Sequence, residues 1–129
     1  PTYVIFFSDG SPTFRNTQAG FNDRDNRAPA GVYGSGAEEE PNMERAYNQA
    51  TDDAQTLANK VGKDRFYTIF AYGTTAGSTY MTNLTAAAGA PSGNNYSASN
   101  TAELENAFAA ILEDIERAGI GNVDCRSIS

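Results

Sequence analysis

Tyr3-Val4-Ile5-Phe6-Phe7 is an unbroken apolar run that stops at Ser8-Asp9-Gly10-Ser11-Pro12. A short run bounded by a turn signal predicts a strand buried on both faces, as parallel sheets require. A polar tract rich in Asn, Asp, Gly and Pro follows from about Ser11 to Glu40. It lacks periodicity, and loops of that length inside compact domains are usually functional or mobile. Then Met43, Ala46, Tyr47, Ala50, Ala54, Leu57, Ala58 and Val61 recur at three- and four-residue spacing. That stripe predicts an amphipathic helix. Pro41 suits its first turn, Glu38 to Glu40 suit its positive dipole end, and Gly62 is its expected C-cap.

A second strand is predicted over Arg65 to Tyr72, stopped by Gly73. Ser78 is the expected cap of a short helix carrying Met81, Leu84 and Ala88, closed by Gly89 and Pro91. Asn95-Tyr96-Ser97-Ala98 reads as a weak third strand. Asn100 with Glu103 three residues on resembles a capping box. The helix it opens is expected to bury Leu104, Phe108, Ile111, Leu112 and Ile115 and to stop at Gly119. Residues 1–119 then form one structural unit and residues 120–129 an exit segment.

Strand and helix alternate, which predicts a doubly wound, Rossmann-like α/β fold with a mostly parallel sheet and helices on both faces. Three strands make a narrow sheet. The strand containing Phe6 needs a neighbour that the pattern does not supply, so a partial domain is expected.

Composition narrows the function. Of 129 residues, 40% are hydrophobic, with seven Phe, seven Tyr and no Trp. That is enough for a packed core and argues against disorder throughout. No stretch is long and apolar enough for a bilayer span. The chain begins at Pro1, so processing, cleavage or truncation is expected. The net charge is −7, with nine scattered basic residues, which leaves no footprint for nucleic acid. There is no His, so the commonest general base and zinc ligand are missing. Cys125 is the single cysteine and has no internal disulfide partner. It is either a minor free thiol or pairs with a cysteine elsewhere.

Asp9 ends the strongest predicted strand. In open α/β sheets, ligands bind beyond the carboxyl ends of the strands. A carboxylate there suits a hard divalent cation, and Gly10 permits the tight turn. An Asp-Gly pair after a strand is more often a plain turn that bonds its own backbone. Asn22-Asp23-Arg24-Asp25-Asn26 lacks the glycine and distal Glu of an EF-hand and reads as a solvated loop. Asn83-Leu84-Thr85 and Asn95-Tyr96-Ser97 match the glycosylation acceptor pattern.

The run YVIFFSDGSPT, Tyr3 to Thr13, resembles the fourth-strand motif of von Willebrand factor type A domains, an apolar strand ending in Thr- or Ser-Asp-Gly. Its Pro-Thr is similar to the version in tip adhesins of Gram-positive pili. The following elements keep the family's order, including the strand RFYTIFAYG, so the resemblance runs from about Pro1 to Gly119. It implies the C-terminal half of such a domain. It also implies metal-dependent adhesion at an extracellular cell surface, through a protein or extracellular-matrix ligand. In that family an Asp-x-Ser-x-Ser segment, a Thr from a middle loop and the fourth-strand Asp together hold the cation. Only Asp9 carries over, with Ser8 and Gly10 as supporting residues. The cation implied is Mg²⁺, with Ca²⁺ or Mn²⁺ as alternatives, and its site is incomplete in this chain. The remaining N-terminal half of the domain is an implied partner. The polar tract would border the metal face and shape ligand choice.

Two other readings compete. Haloacid dehalogenase-type phosphatases also begin with an apolar strand, ending in Asp-x-Asp-Gly-Thr. Here Phe7 stands where their nucleophilic Asp would be, and no Ser-His-Asp or Cys-His set is possible. An enzyme is therefore not expected. A structural or assembly module of the same fold, without metal, is the other alternative.

Overall fold

A computed structural model describes residues 1–12, 14–17, 31–34 and 42–118. The stretch Asn22 to Asn26, read as a solvated loop, most of the polar tract, the exit segment and Cys125 lie outside them. The elements are β1 (Val4–Ser8), β2 (Phe14–Thr17), β3 (Gly31–Gly34), α1 (Asn42–Val61), β4 (Phe66–Ala71), α2 (Thr75–Ala87), β5 (Asn95–Ala98) and α3 (Thr101–Ala118). Two 3₁₀ turns, Lys63–Arg65 and Ser92–Asn94, lead into β4 and β5. Strands β1, β4 and β5 form one parallel sheet in that order. The alternation of strand and helix thus gives the expected α/β architecture. An antiparallel hairpin of β2 and β3, which the polar composition did not reveal, lies beside α1.

Strand β4 is the centre, with every residue buried. Its side chains alternate between faces, so a strand covered on both sides buries both sets, and all but Thr68 are apolar or aromatic. Phe66 and Phe70 pack with Ala54 and Ala58 of α1 and with Tyr80, Met81, Leu84 and Ala88. Tyr67 and Ile69 pack on the other face with Ala107 and Ile111 of α3. Helices therefore cover both faces, α1 and α2 on one and α3 on the other. Tyr47 meets Tyr80 edge to face at 5.2 Å between ring centroids. Burial pushes the Tyr80 phenol up to about 12, with the neighbouring Tyr47 a smaller cause.

The helix ends follow from local chemistry. The Gly62 N–H reaches the Ala58 carbonyl at 2.9 Å with φ of 106°, a conformation that favours glycine and stops α1. At α3 the Asn100 side chain accepts from the Glu103 N–H at 2.9 Å, while the Glu103 carboxylate accepts from the Ser99 N–H at 3.2 Å. That is the capping box read from the sequence, returned one residue earlier. The start of α2 differs from expectation. Thr74, not Ser78, is the cap, and its hydroxyl accepts from the Gly77 N–H at 3.2 Å. Ser78 instead lies one turn inside the helix.

A buried polar chain ties β4 to α2 and β5. The Thr68 hydroxyl, fully buried, bonds the Thr85 hydroxyl and donates to Asn95 Oδ1 at 2.9 Å. Asn95 Nδ2 donates to the Thr82 hydroxyl at 3.0 Å. Both ends of the Asn95 amide are thus engaged, so a glycan there would dismantle the chain. Asn83, the other acceptor, is exposed on α2.

The largest departure concerns β1. The sequence predicts a strand buried on both faces, yet Ile5 is 38% exposed, Phe6 39% and Phe7 50%. Phe108 and Leu112, expected to be buried on α3, and Leu57 of α1 are also exposed. The reason is position. Strand β1 is the sheet's edge, and among the described residues nothing pairs with its outer side. No helix among the described residues is long and apolar enough to cross a membrane.

Candidate functional site

All three parallel strands point the same way, so their carboxyl ends share one edge of the sheet. Ser8 is the last residue of β1 and pairs with Phe70, near the end of β4. Asp9 follows and is exposed at that edge. The Ser8 hydroxyl accepts from the Gly10 N–H at 3.2 Å and lies 3.3 Å from the Gly10 carbonyl, closing a local turn around Asp9. Gly10 has φ of 149°, which a side chain would disfavour.

The turn rests on glycines of the neighbouring strand and helix. A Cβ built on Gly73 would lie 1.9 Å from the Asp9 carbonyl oxygen and 2.5 Å from the Phe70 ring. A Cβ on Gly77 would lie 2.7 Å from Gly10 Cα. Backbone therefore packs directly on backbone: the turn after β1 sits on the turn after β4 and on the first turn of α2. Phe70, largely buried, fills the space beneath Gly73 and Gly77. Strand pairing and glycine contact together fix where Asp9 stands.

Tyr72 adjoins this platform and was not singled out by sequence reading. Its φ is 63°, the only positive value at a non-glycine among the described residues. Its ring is 54% exposed, and its N–H is held by the Ala98 carbonyl at 3.1 Å. A tyrosine in this region costs roughly 1–2 kcal/mol. The one advance signal was its place before Gly73 at the end of an apolar strand.

The donor set bears on a cation in a limited way. Asp9 offers the hard oxygen that Mg²⁺ or Ca²⁺ takes, but such ions require about six ligands. Among the described residues there is no group of three or more acidic, His or Cys side chains placed to hold a metal. The Ser8 hydroxyl is engaged with Gly10. The chemistry of Asp9 fits a cation site, and the remaining oxygens would have to come from elsewhere.

Compared with protein-family models, with curated proteins and with solved structures, the chain finds no significant match.

Proposed function

We propose that this chain is one half of an open α/β recognition domain. In this reading it acts in metal-dependent adhesion at an extracellular surface, with Asp9 contributing one oxygen to a divalent cation, Mg²⁺ before Ca²⁺ or Mn²⁺. The observation that carries the reading is the position of Asp9. It is an exposed carboxylate on a glycine-packed turn, at the carboxyl end of the strand that forms the open edge of a parallel sheet. In doubly wound sheets that is where the strand order reverses and ligands bind. The likeness of YVIFFSDGSPT to the fourth-strand motif of von Willebrand factor type A domains supports the same reading. The ligand would be a protein or matrix component whose own carboxylate completes the cation's shell.

Binding is favoured over catalysis. Phe7, at the position a phosphatase nucleophile would take, lies beside Phe108 with the rings tilted by 32° and 6.4 Å between centroids. The chain has no His to serve as a general base. Mn²⁺ offers a direct test, because its unpaired electrons broaden nearby amide resonances. Added to the polypeptide that carries both halves, it should broaden Asp9, Gly10 and Gly73 first. Broadening spread over the acidic surface, or none at Asp9, would leave a metal-free interaction module as the better account.

A further inference from the structure

The middle of the carboxyl edge carries a side chain that the cation reading does not use. Tyr72 is the first residue after β4, the central strand. Its φ of 63° is a left-handed conformation that glycine adopts freely and tyrosine does not. The backbone is held there from both sides. Its N–H donates to the carbonyl of Ala98, the last residue of β5, at 3.1 Å. Its other neighbour, Gly73, is wedged between the Asp9 carbonyl and the Phe70 ring. Strand β5 and the turn after β1 thus fix Tyr72 between them.

Among the described residues, nothing repays the ring for that strain. It is 54% exposed, packs in neither layer of the core and takes part in neither aromatic pair. Strain of this kind gathers at ligand-contacting positions, where the surroundings over-determine an unfavourable backbone. A tyrosine has only two side-chain torsions to order, so one already locked at its backbone loses little on binding.

Charge narrows what the ring would meet. The turns after β1, β4 and β5 and the first turns of α2 and α3 contain Asp9 and Glu103 as their charged residues, both acidic. Arg45 at the start of α1 has Glu44 beside it in the sequence, and the chain as a whole carries −7. An exposed aromatic face in an acidic field attracts a cation. Of the cationic side chains, arginine fits such a face best, because its guanidinium is flat, weakly hydrated and stacks on rings.

We propose that Tyr72 is a ligand-contacting residue of this edge, and that its ring receives an arginine side chain of the protein ligand. The inference rests on reading the carboxyl edge as the recognition face, and not on the cation at Asp9.

Chemical-shift titration of the full-length polypeptide, the one that carries both halves, tests it with two probes. They are N-acetyl-arginine amide and its neutral near-isostere N-acetyl-citrulline amide, both added in EDTA so that no divalent cation contributes. The arginine probe should shift the Tyr72 and Gly73 amides and bind about two- to fivefold more tightly than citrulline. Tyr72→Phe should keep that preference. Tyr72→Asn should abolish it, since asparagine tolerates the left-handed backbone but lacks the ring. Equal binding of the two probes by the wild type would overturn the proposal. So would a preference that survives in Tyr72→Asn, or shifts spread over the acidic residues that leave Tyr72 unmoved. Mg²⁺ affinity, read separately by calorimetry, should be the same in wild type and Tyr72→Asn. A fall there would place Tyr72 in the cation site instead, so failure of the cation reading and failure of this one appear in different measurements.

Discussion

Gly73→Ala is the sharpest perturbation of the platform beneath Asp9. The new methyl group would fall 1.9 Å from the Asp9 carbonyl oxygen, 2.5 Å from Phe70 Cε2 and 2.8 Å from its Cζ. One neighbour is main chain and cannot swing aside, and the other is a largely buried ring. Relief requires the turn after β1 to lift from the turn after β4. Overpacking usually costs about 1–3 kcal/mol, and a contact this short belongs at or above the top of that range. Gly77→Ala grades the effect. Its methyl would lie 2.7 Å from Gly10 Cα, but alanine gains about 1 kcal/mol of helix propensity in α2, so its net cost should be roughly 0–2 kcal/mol. Gly93→Ala is the control, because a Cβ there meets nothing within 4 Å. It should be neutral or stabilising by less than about 1 kcal/mol. Urea unfolding of the three variants at constant slope gives the comparison directly. If Gly73→Ala unfolds within about 0.5 kcal/mol of wild type, the packing of β1's turn on Gly73 is not as described.

Thr68→Val leaves Asn95 Oδ1 without its donor and removes one of the two partners of the Thr85 hydroxyl, which keeps the Met81 carbonyl, and should cost about 1–3 kcal/mol. Adding Thr85→Val should cost less than the two single changes summed, and strict additivity in the double-mutant cycle would refute the coupling. Tyr72→Gly removes a strained φ, worth about 1–2 kcal/mol, against a glycine entropy cost of about 0.5–1 kcal/mol. Stability should therefore rise slightly, and a clear loss in thermal unfolding would count against the strain. The raised Tyr80 pKa makes a stability contribution that is present below the ordinary tyrosine value of about 10. It is lost as pH climbs through about 12, because the unfolded chain releases the proton first. Tyr80→Phe should shrink the loss of stability across that window, and an unchanged pH profile would contradict the burial argument.

Much of this fold was legible because single residue types decided local events. Gly62 ends α1, and Asn100 with Glu103 opens α3, each through its own backbone or side-chain bonds. The apolar run Phe66–Ala71 announced the central strand. The hairpin of β2 and β3 was hidden because its strands are four residues each, inside a polar tract with no alternation to read. Thr74 was passed over as a cap because hydroxyl residues crowd the stretch Thr74 to Thr79, and sequence alone does not rank them. The same pattern that foretold burial for β1 could not say what would bury it. Phe6, Phe7 and Phe108 read as core, yet their exposure depends on a neighbour that pattern cannot place. At the site, Asp9 was legible from the strand-turn boundary. Gly73, Gly77 and Tyr72 were not, because their roles arise from contacts across the sheet edge.

The central claim is that Asp9 helps hold a divalent cation once the companion half of the domain is in place. Titration calorimetry with Mg²⁺ on the full-length polypeptide, wild type and Asp9→Ala, tests it most directly. The account predicts saturable binding in the wild type that falls at least about tenfold in the variant, a difference of about 1.4 kcal/mol. Unfolding of the two proteins without Mg²⁺ should be nearly identical, because Asp9 is exposed at a strand end. Equal Mg²⁺ affinities in the two proteins would contradict the account.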